Sequence, residues 1–334
     1  MKKHINPFKG VVLLALALSP LLSFSGTGND VEKKRTISKS YNVGPDDRLS
    51  IENSFGNVTV ATWDKNTIQV EVEIGVRASS DDKAQQMMDQ IKVSDSQDSH
   101  EIEFKTDIGH MGNKGNGNRD EENRRFYVDY KISMPSKNPL RIENSFGKTS
   151  VPDFAGSASL TSKFGELTTG KIANAKLIQV EFGRADIGKL TNAELVLKFD
   201  SKASVAGLGG NSKVDVEFCS QVNLSIDNTV QELNVHESYS TINLRVPRNL
   251  SAEFDVYTNF GDFRNKTSYT ISEENTDENS GPKFDKTYSG TVGSGTAKIK
   301  IKSSFGTIRL TDESDTSGNK NDSKEDEDKD KVNL

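Results

Sequence analysis

An aromatic residue followed by glycine, or by another small residue, returns along this chain at nearly constant spacing. Asn53-Ser54-Phe55-Gly56 recurs as Asn144-Ser145-Phe146-Gly147 and, nearly intact, as Ser303-Ser304-Phe305-Gly306. Degenerate copies stand at Phe164-Gly165, Phe182-Gly183 and Phe260-Gly261, while Phe199-Asp200, Phe218-Cys219 and Tyr239-Ser240 replace the glycine. From Phe146 to Phe260 the aromatic spacings are 18, 18, 17, 19, 21 and 21 residues. Self-similarity of this kind marks stacked copies of one small unit, none of which buries its apolar face alone.

The residues between the corners alternate. Apolar or β-branched side chains fall three and five places after the aromatic: Val58 and Val60, Thr149 and Val151, Leu167 and Thr169, Ala185 and Ile187, Ile242 and Leu244, Ile308 and Leu310. After Phe199 and Phe218 the same pattern comes one residue later, at Ala203 and Val205 and at Val222 and Leu224, as an inserted residue would produce. Period two predicts strands. Strands recurring without helices between them predict an all-β, parallel β-helix-like solenoid, its rungs about 4.8 Å apart; a β-sandwich or paired antiparallel sheets is the alternative. In the solenoid the aromatic rings are expected to stack inside, with glycine beside them supplying a positive φ.

Residues 37–140 are less regular than the coils of 141–310. Ile68 to Val76 and Phe126 to Met134 alternate over longer stretches. Between them Ser80 is placed to cap a short helix from about Asp81 to Ile91, with Ala84, Met87, Met88 and Ile91 on its apolar stripe. Such a helix would cover an otherwise exposed sheet end. Residues 109–125 and 273–283 read as loops.

The ends differ from this body. Lys2, Lys3 and Lys9 precede an apolar run from Val11 to Leu22, and Ser23 and Ser25 follow, so residues 1–25 read as a secretion signal. The run is short for a bilayer span, which takes about 20 apolar residues, and no other stretch of the chain qualifies. Residues 26–36 read as a linker, 37–310 as the β domain, and 311–334, with nine acids and four lysines, as a disordered acidic tail. The remaining body is nearly balanced in charge without an evident basic face, which argues against nucleic-acid binding. Cys219 is the sole cysteine, so no internal disulfide is available; it replaces a repeat glycine and reads as a buried small residue.

No chemistry-bearing motif emerges. His4, His100, His110 and His236 do not cluster, and no helical pair has metalloprotease spacing. Gly207-Leu208-Gly209-Gly210 lies between repeat strands and reads as a turn. Asp186, Asp200 and Asp215 fall in neighbouring repeats, where paired carboxylates could serve polysaccharide cleavage, but they occupy different phases of the repeat. Trp63, Tyr127, Tyr257, Tyr269 and Tyr288 lie outside the corner series and are candidates for a sugar-stacking stripe. The residues therefore assign no catalytic, cofactor-binding or metal-binding site.

The order of Asn53-to-Val60, Trp63-Asp64-Lys65-Asn66, the strand ending at Val76, a helix containing Ala84, a second long strand, and Met134-Pro135 before the next corner resembles the putative-adhesin β-strand-repeat family of exported bacterial proteins. The resemblance covers roughly residues 37–310. It implies a β-solenoid, an envelope location and no catalytic residues. The expectation is a non-enzymatic, adhesin-like scaffold, periplasmic, envelope-bound or extracellular, that binds an envelope or extracellular protein or glycan. A periplasmic accessory or sensor protein in envelope signalling is the second reading, and a polysaccharide-cleaving enzyme the third.

Overall fold

The computed structural model of the protein describes residues 30–109, 125–274 and 284–313. Within them the fold is all-β with one helix. The chain begins with β1 (Val31–Asn42), β2 (Arg48–Ser54), β3 (Val58–Trp63) and β4 (Thr67–Ala78), followed by helix α1 (Asp81–Gln90). Next come β5 (Lys92–Gln97), β6 (Glu101–Asp107) and β7 (Arg125–Pro135). The repeats then supply β8 (Leu140–Ser145), β9 (Lys148–Val151), β10 (Phe154–Lys163), β11 (Glu166–Thr169), β12 (Ile172–Glu181), β13 (Arg184–Thr191) and β14 (Glu194–Lys198). Two long strands follow, β15 (Lys202–Glu217) and β16 (Val222–Ser238), then β17 (Thr241–Val246), β18 (Ala252–Asn259) and β19 (Asp262–Asn265). The last are β20 (Ser272–Glu273), β21 (Asp285–Val292), β22 (Ala297–Ser304) and β23 (Thr307–Asp312).

Two parallel series run side by side. Before each aromatic corner the order is β2, β8, β10, β12, β14, β15, β16, β22, β18. After it the order is β3, β9, β11, β13, β15, β16, β17, β23, β19. The register puts equivalent residues on one another. Ile142, Leu160, Ile178, Leu195, Val214, Val235 and Ile301 form one interior column, and Leu167, Ala185, Ala203, Val222, Ile242 and Ile308 another. All are essentially inaccessible. Each fully buried aliphatic contributes roughly 1.5–3 kcal/mol of apolar transfer, so the alternation legible in the sequence is what holds neighbouring repeats together.

Both ends leave the parallel pattern. At the N-terminal end β4 runs antiparallel to β7, β1 antiparallel to β4, and β5 antiparallel to β6. Helix α1 packs on β4 and β1. Ser80 accepts a hydrogen bond from the Lys83 amide at 3.3 Å, and Ala84, Met87, Met88 and Ile91 are buried as the stripe predicted. At the other end β21 runs antiparallel to β18, and β20 to β21.

Two expected boundaries are corrected here. Residues 31–36 are not linker but the start of β1. Its partly buried positions include Lys33 and Arg35, whose stems lie along the sheet while their heads reach Asp81 and Gln85 at 2.9 Å and the Ile91 carbonyl at 2.6 Å. A strand buried through charged side chains carries little apolar signal. At the C-terminal end β23 continues through Asp312, two residues into the stretch read as tail. The repeats also do not stack in sequence order throughout, because β22 and β23 lie between β16–β17 and β18–β19. The signal sequence and most of the acidic tail, along with much of the two loops, lie outside the described residues. Among the described residues no helix is long and apolar enough to cross a membrane.

Candidate functional site

Each corner is built around the aromatic residue itself. Phe164, Phe182 and Phe199 have φ of 53°, 54° and 55°, and the other aromatics of the series also have positive φ. Their amides still join the ladder: Phe164 donates to the Glu181 carbonyl at 2.9 Å and Phe182 to that of Lys198 at 3.0 Å. The following glycine answers a different need. A β-carbon at Gly165 would lie 2.0 Å from the Gly147 carbonyl oxygen, and one at Gly183 2.3 Å from that of Gly165. Glycine is therefore required by the close approach of successive backbones, while the ring residue bears the left-handed conformation, at a cost of about 1–2 kcal/mol.

That conformation turns the rings outward, which overturns their expected place inside. Phe55, Phe146, Phe164, Phe182, Phe199, Phe218, Tyr239, Phe305, Phe260 and Phe284 stack in that order, with centroids 4.6–5.2 Å apart. From Phe146 to Phe260 adjacent planes lie within 6° of parallel. Rings in the ladder are about half exposed, Phe182 at 48%. Ring faces cover one another, so the ladder offers solvent mainly its edges.

The space inside the corner belongs to the residue two places earlier. Asn53, Asn144, Ser162, Val180, Leu197, Val216, Glu237, Thr258 and Ser303 are all buried. Asn53 donates to the Val128 carbonyl at 3.0 Å and to Asn144 Oδ1 at 3.1 Å, and Asn144 donates to the Gly56 carbonyl at 3.1 Å.

Where glycine is missing, the substitute turns a polar atom toward the neighbouring repeat. Asp200 Oδ1 accepts from the Gly183 amide at 2.8 Å, and Ser240 Oγ from the Cys219 amide at 2.9 Å. Asp200 Oδ2 is buried without a partner. Burial pushes the Asp200 carboxyl up to about 6, against the opposing pull of the Gly183 amide. Glu237 is also raised by burial; it accepts from the Ser303 hydroxyl and from the Ser240 amide at 2.5 Å. Cys219 is buried as predicted, and burial holds its thiol up at about 11.

Two outward columns flank the ladder. The residue before each ring forms one: Ser145, Lys163, Glu181, Lys198, Glu217 and Ser238 stand in register. Lys163 pairs with Glu181 at 3.4 Å and Lys198 with Glu217 at 3.1 Å. On the sheet beyond the ring lies a second, largely uncharged column of Ser150, Thr168, Asp186, Ser204, Asn223 and Asn243.

The structure separates the three carboxylates considered for catalysis. Asp186 points outward from β13, Asp200 lies buried at a corner, and Asp215 sits on the other sheet, 2.8 Å from Lys213 and 3.2 Å from His236. His100 is near Asp47 instead, at 3.1 Å. Gly207 to Gly210 lies within β15, where Gly210 takes a φ of 61°. The aromatics outside the series do not assemble either. Trp63 donates to the Thr67 carbonyl at 2.8 Å, Tyr127 to Glu73 at 2.6 Å and Tyr269 to the Pro247 carbonyl at 2.7 Å. Tyr288 is buried against Phe263, and Tyr257 alone of the five is exposed. Among the described residues no group of three or more His, Cys, Asp or Glu is placed to hold a metal ion.

The described strands define a β-strand-repeat architecture with an exposed aromatic ladder, and the chain is matched over most of its length to three solved structures. One is a putative cell adhesion protein from Clostridium sporogenes, 13% identical with a TM-score of 0.24, covering 83% of this chain and 100% of that one. A putative adhesin from Bacteroides fragilis is 12% identical with a TM-score of 0.31, covering 83% and 97%. A putative adhesin from Parabacteroides distasonis is 8% identical with a TM-score of 0.25, again covering 83% and 97%. No protein-family model matches the chain, and no curated protein matches it.

Proposed function

We propose that this protein is a β-solenoid scaffold, exported and adhesin-like, that recognises an envelope or extracellular protein or glycan without catalysing a reaction. The observation that carries the reading is the set of straight outward columns at strand pitch. A row such as Ser150, Thr168, Asp186, Ser204, Asn223 and Asn243 repeats hydroxyl, amide and carboxylate groups about every 4.8 Å. Such a row suits an extended polar ligand, whose hydroxyls or peptide groups can be met several times along its length; many weak contacts then add through multivalency. The signal-like residues 1–25 support export, and the resemblance over residues 37–310 supports an envelope setting.

The test is binding of purified protein to isolated envelopes of the source cell, with Thr168→Arg/Ser204→Arg as the variant. Both positions point outward and neither is part of the ring ladder. Saturable binding that falls at least tenfold in the variant, with unchanged melting, supports the proposal. Binding that is indifferent to the variant overturns this column as the recognition surface. Sustained depolymerisation of a polysaccharide by the purified protein overturns the non-enzymatic reading.

A further inference from the structure

We infer that the aromatic ladder is the seam of a homodimer, in which a second copy of this chain packs its ladder antiparallel against the first. The inference concerns a surface separate from the polar column and goes beyond the scaffold reading.

Exposed ring edges are costly to leave in water. Half-exposed aromatic side chains leave roughly 100 Å² each, given the 150–250 Å² that such a side chain can bury; eight rings run without a break from Phe55 to Phe305, and all but Phe55 are exposed to that degree. The stripe therefore presents roughly 700 Å², above the few hundred that monomers ordinarily expose and close to one side of a standard interface. The occupant is not a sugar: stacking on a pyranose needs a free ring face, and here each internal ring has a neighbour on both faces, as Phe182 has Phe164 at 5.0 Å and Phe199 at 4.8 Å.

A second copy matches this stripe in two respects. Its own ladder has the same pitch, so edges meet edges along the whole length. The charges on one flank of the rings are also self-complementary. Read in register, the flanking column is Ser145, Lys163, Glu181, Lys198, Glu217, Ser238. A two-fold axis crossing the ladder midway between Phe182 and Phe199 reverses this column against itself. It sets Glu181 opposite Lys198, Lys163 opposite Glu217, and Ser145 opposite Ser238. On the opposite flank the column nearest the rings, Lys148, Glu166, Arg184 and Lys202, is reversed likewise and sets Arg184 against Lys202, so the electrostatic attraction comes from the Lys–Glu column. A closed, isologous dimer needs such an arrangement, with the same patch on both subunits.

Sedimentation of the purified protein over a hundredfold dilution range tests the inference. The expected result is a monomer–dimer equilibrium. Lys163→Glu/Lys198→Glu makes the column wholly acidic and weakens association at least tenfold; adding Glu181→Lys/Glu217→Lys restores the alternation and the dimer. Phe182→Asn/Phe199→Asn, which keeps a residue tolerant of positive φ, abolishes it while circular dichroism stays unchanged. A monomer at every concentration, including one that binds lipid vesicles through the ladder, overturns the inference. So does a dimer indifferent to the double charge reversal, or one that the fourfold exchange fails to restore. None of these readouts depends on envelope binding, so the two proposals stand or fall separately.

Discussion

The rings of Tyr239 and Phe305 lie 4.9 Å apart with planes within 1° of parallel, although Phe260 comes between them in the chain. The Tyr239 amide donates to the Ser304 carbonyl, and the Phe305 amide to that of Asn259, both at 3.0 Å. The C-terminal repeat thus occupies a slot between two earlier ones, and β18 pairs with β22 rather than with β16. Closing the slot depends on the last two described strands, β22 and β23.

Truncation reports this directly. A chain ending at residue 296 loses β22 and β23, and with them the buried Ile299, Ile301, Ile308 and Leu310. At roughly 1.5–3 kcal/mol for each such side chain, stability should fall by more than about 5 kcal/mol and β18–β19 should lose protection from hydrogen exchange. A chain ending at residue 313 keeps every described strand, and its far-ultraviolet circular dichroism should match the parent. Retained exchange protection of β18 in the shorter chain would contradict the inserted order.

Ring and core substitutions should differ sharply. Phe182 is half exposed and stacked on two neighbours, so Phe182→Ala should cost about 2 kcal/mol in urea unfolding: half the burial of a phenyl side chain, plus stacking. The 3–5 kcal/mol typical of a buried phenylalanine is not expected. Ile187 is 1% exposed, and Ile187→Asp should prevent folding by burying an unpaired charge. A loss above 4 kcal/mol for the ring, or a soluble Ile187→Asp protein with parental melting, would place these side chains wrongly.

Gly56, Gly147, Gly165 and Gly183, where a β-carbon would meet neighbouring backbone, should tolerate nothing larger. Gly183→Ala forces a methyl to within 2.3 Å of the Gly165 carbonyl oxygen, which is backbone and has little room to retreat. A loss of more than about 3 kcal/mol is expected, by overpacking. Ser240→Gly should cost only about 1–2 kcal/mol, the loss of the hydroxyl acceptor for the buried Cys219 amide. Equal effects for the two variants would refute the close-approach argument.

Asp200 makes stability depend on pH. Its folded value, about 6, lies above the ordinary 3.8, so the native state binds the proton more tightly than the unfolded chain. Below about pH 3 both states are protonated and the stability carried by this residue no longer changes with pH. Stability declines as pH rises from there to about 6, by up to about 3 kcal/mol at 1.36 kcal/mol per unit. Asp200→Asn removes the charge and can keep the acceptor for Gly183. It should melt higher than the parent at pH 7.5 and the difference should vanish at about pH 3. The same difference at both pH values would show that ionisation plays no part.

Much of the fold was legible in the alternation. Every side chain assigned inward at three and five places after the aromatic, from Val58 to Leu310, is buried, as are the two shifted pairs after Phe199 and Phe218. The helix, its cap and its stripe could be read because they depend on neighbours within one or two turns. The outward ladder, too, has a mark in the sequence. Before each corner the buried residues stand an even number of places from the ring, as Ile178 and Val180 do before Phe182; after it, except where a residue is inserted behind Phe199 and Phe218, they stand an odd number away, as Ala185 and Ile187 do. The phase of the alternation therefore changes at the ring, the mark of a residue that turns the chain rather than one that fills the core.

The amino-acid order alone determined which side chains face inward and where the strands break, because period two and the demand for small residues at a tight bend are properties of consecutive residues. The folded molecule decided that Lys33 and Arg35 anchor a strand and that Phe305 stacks between Tyr239 and Phe260. Those outcomes depend on which backbone approaches which across long stretches of chain, and no local pattern encodes that choice.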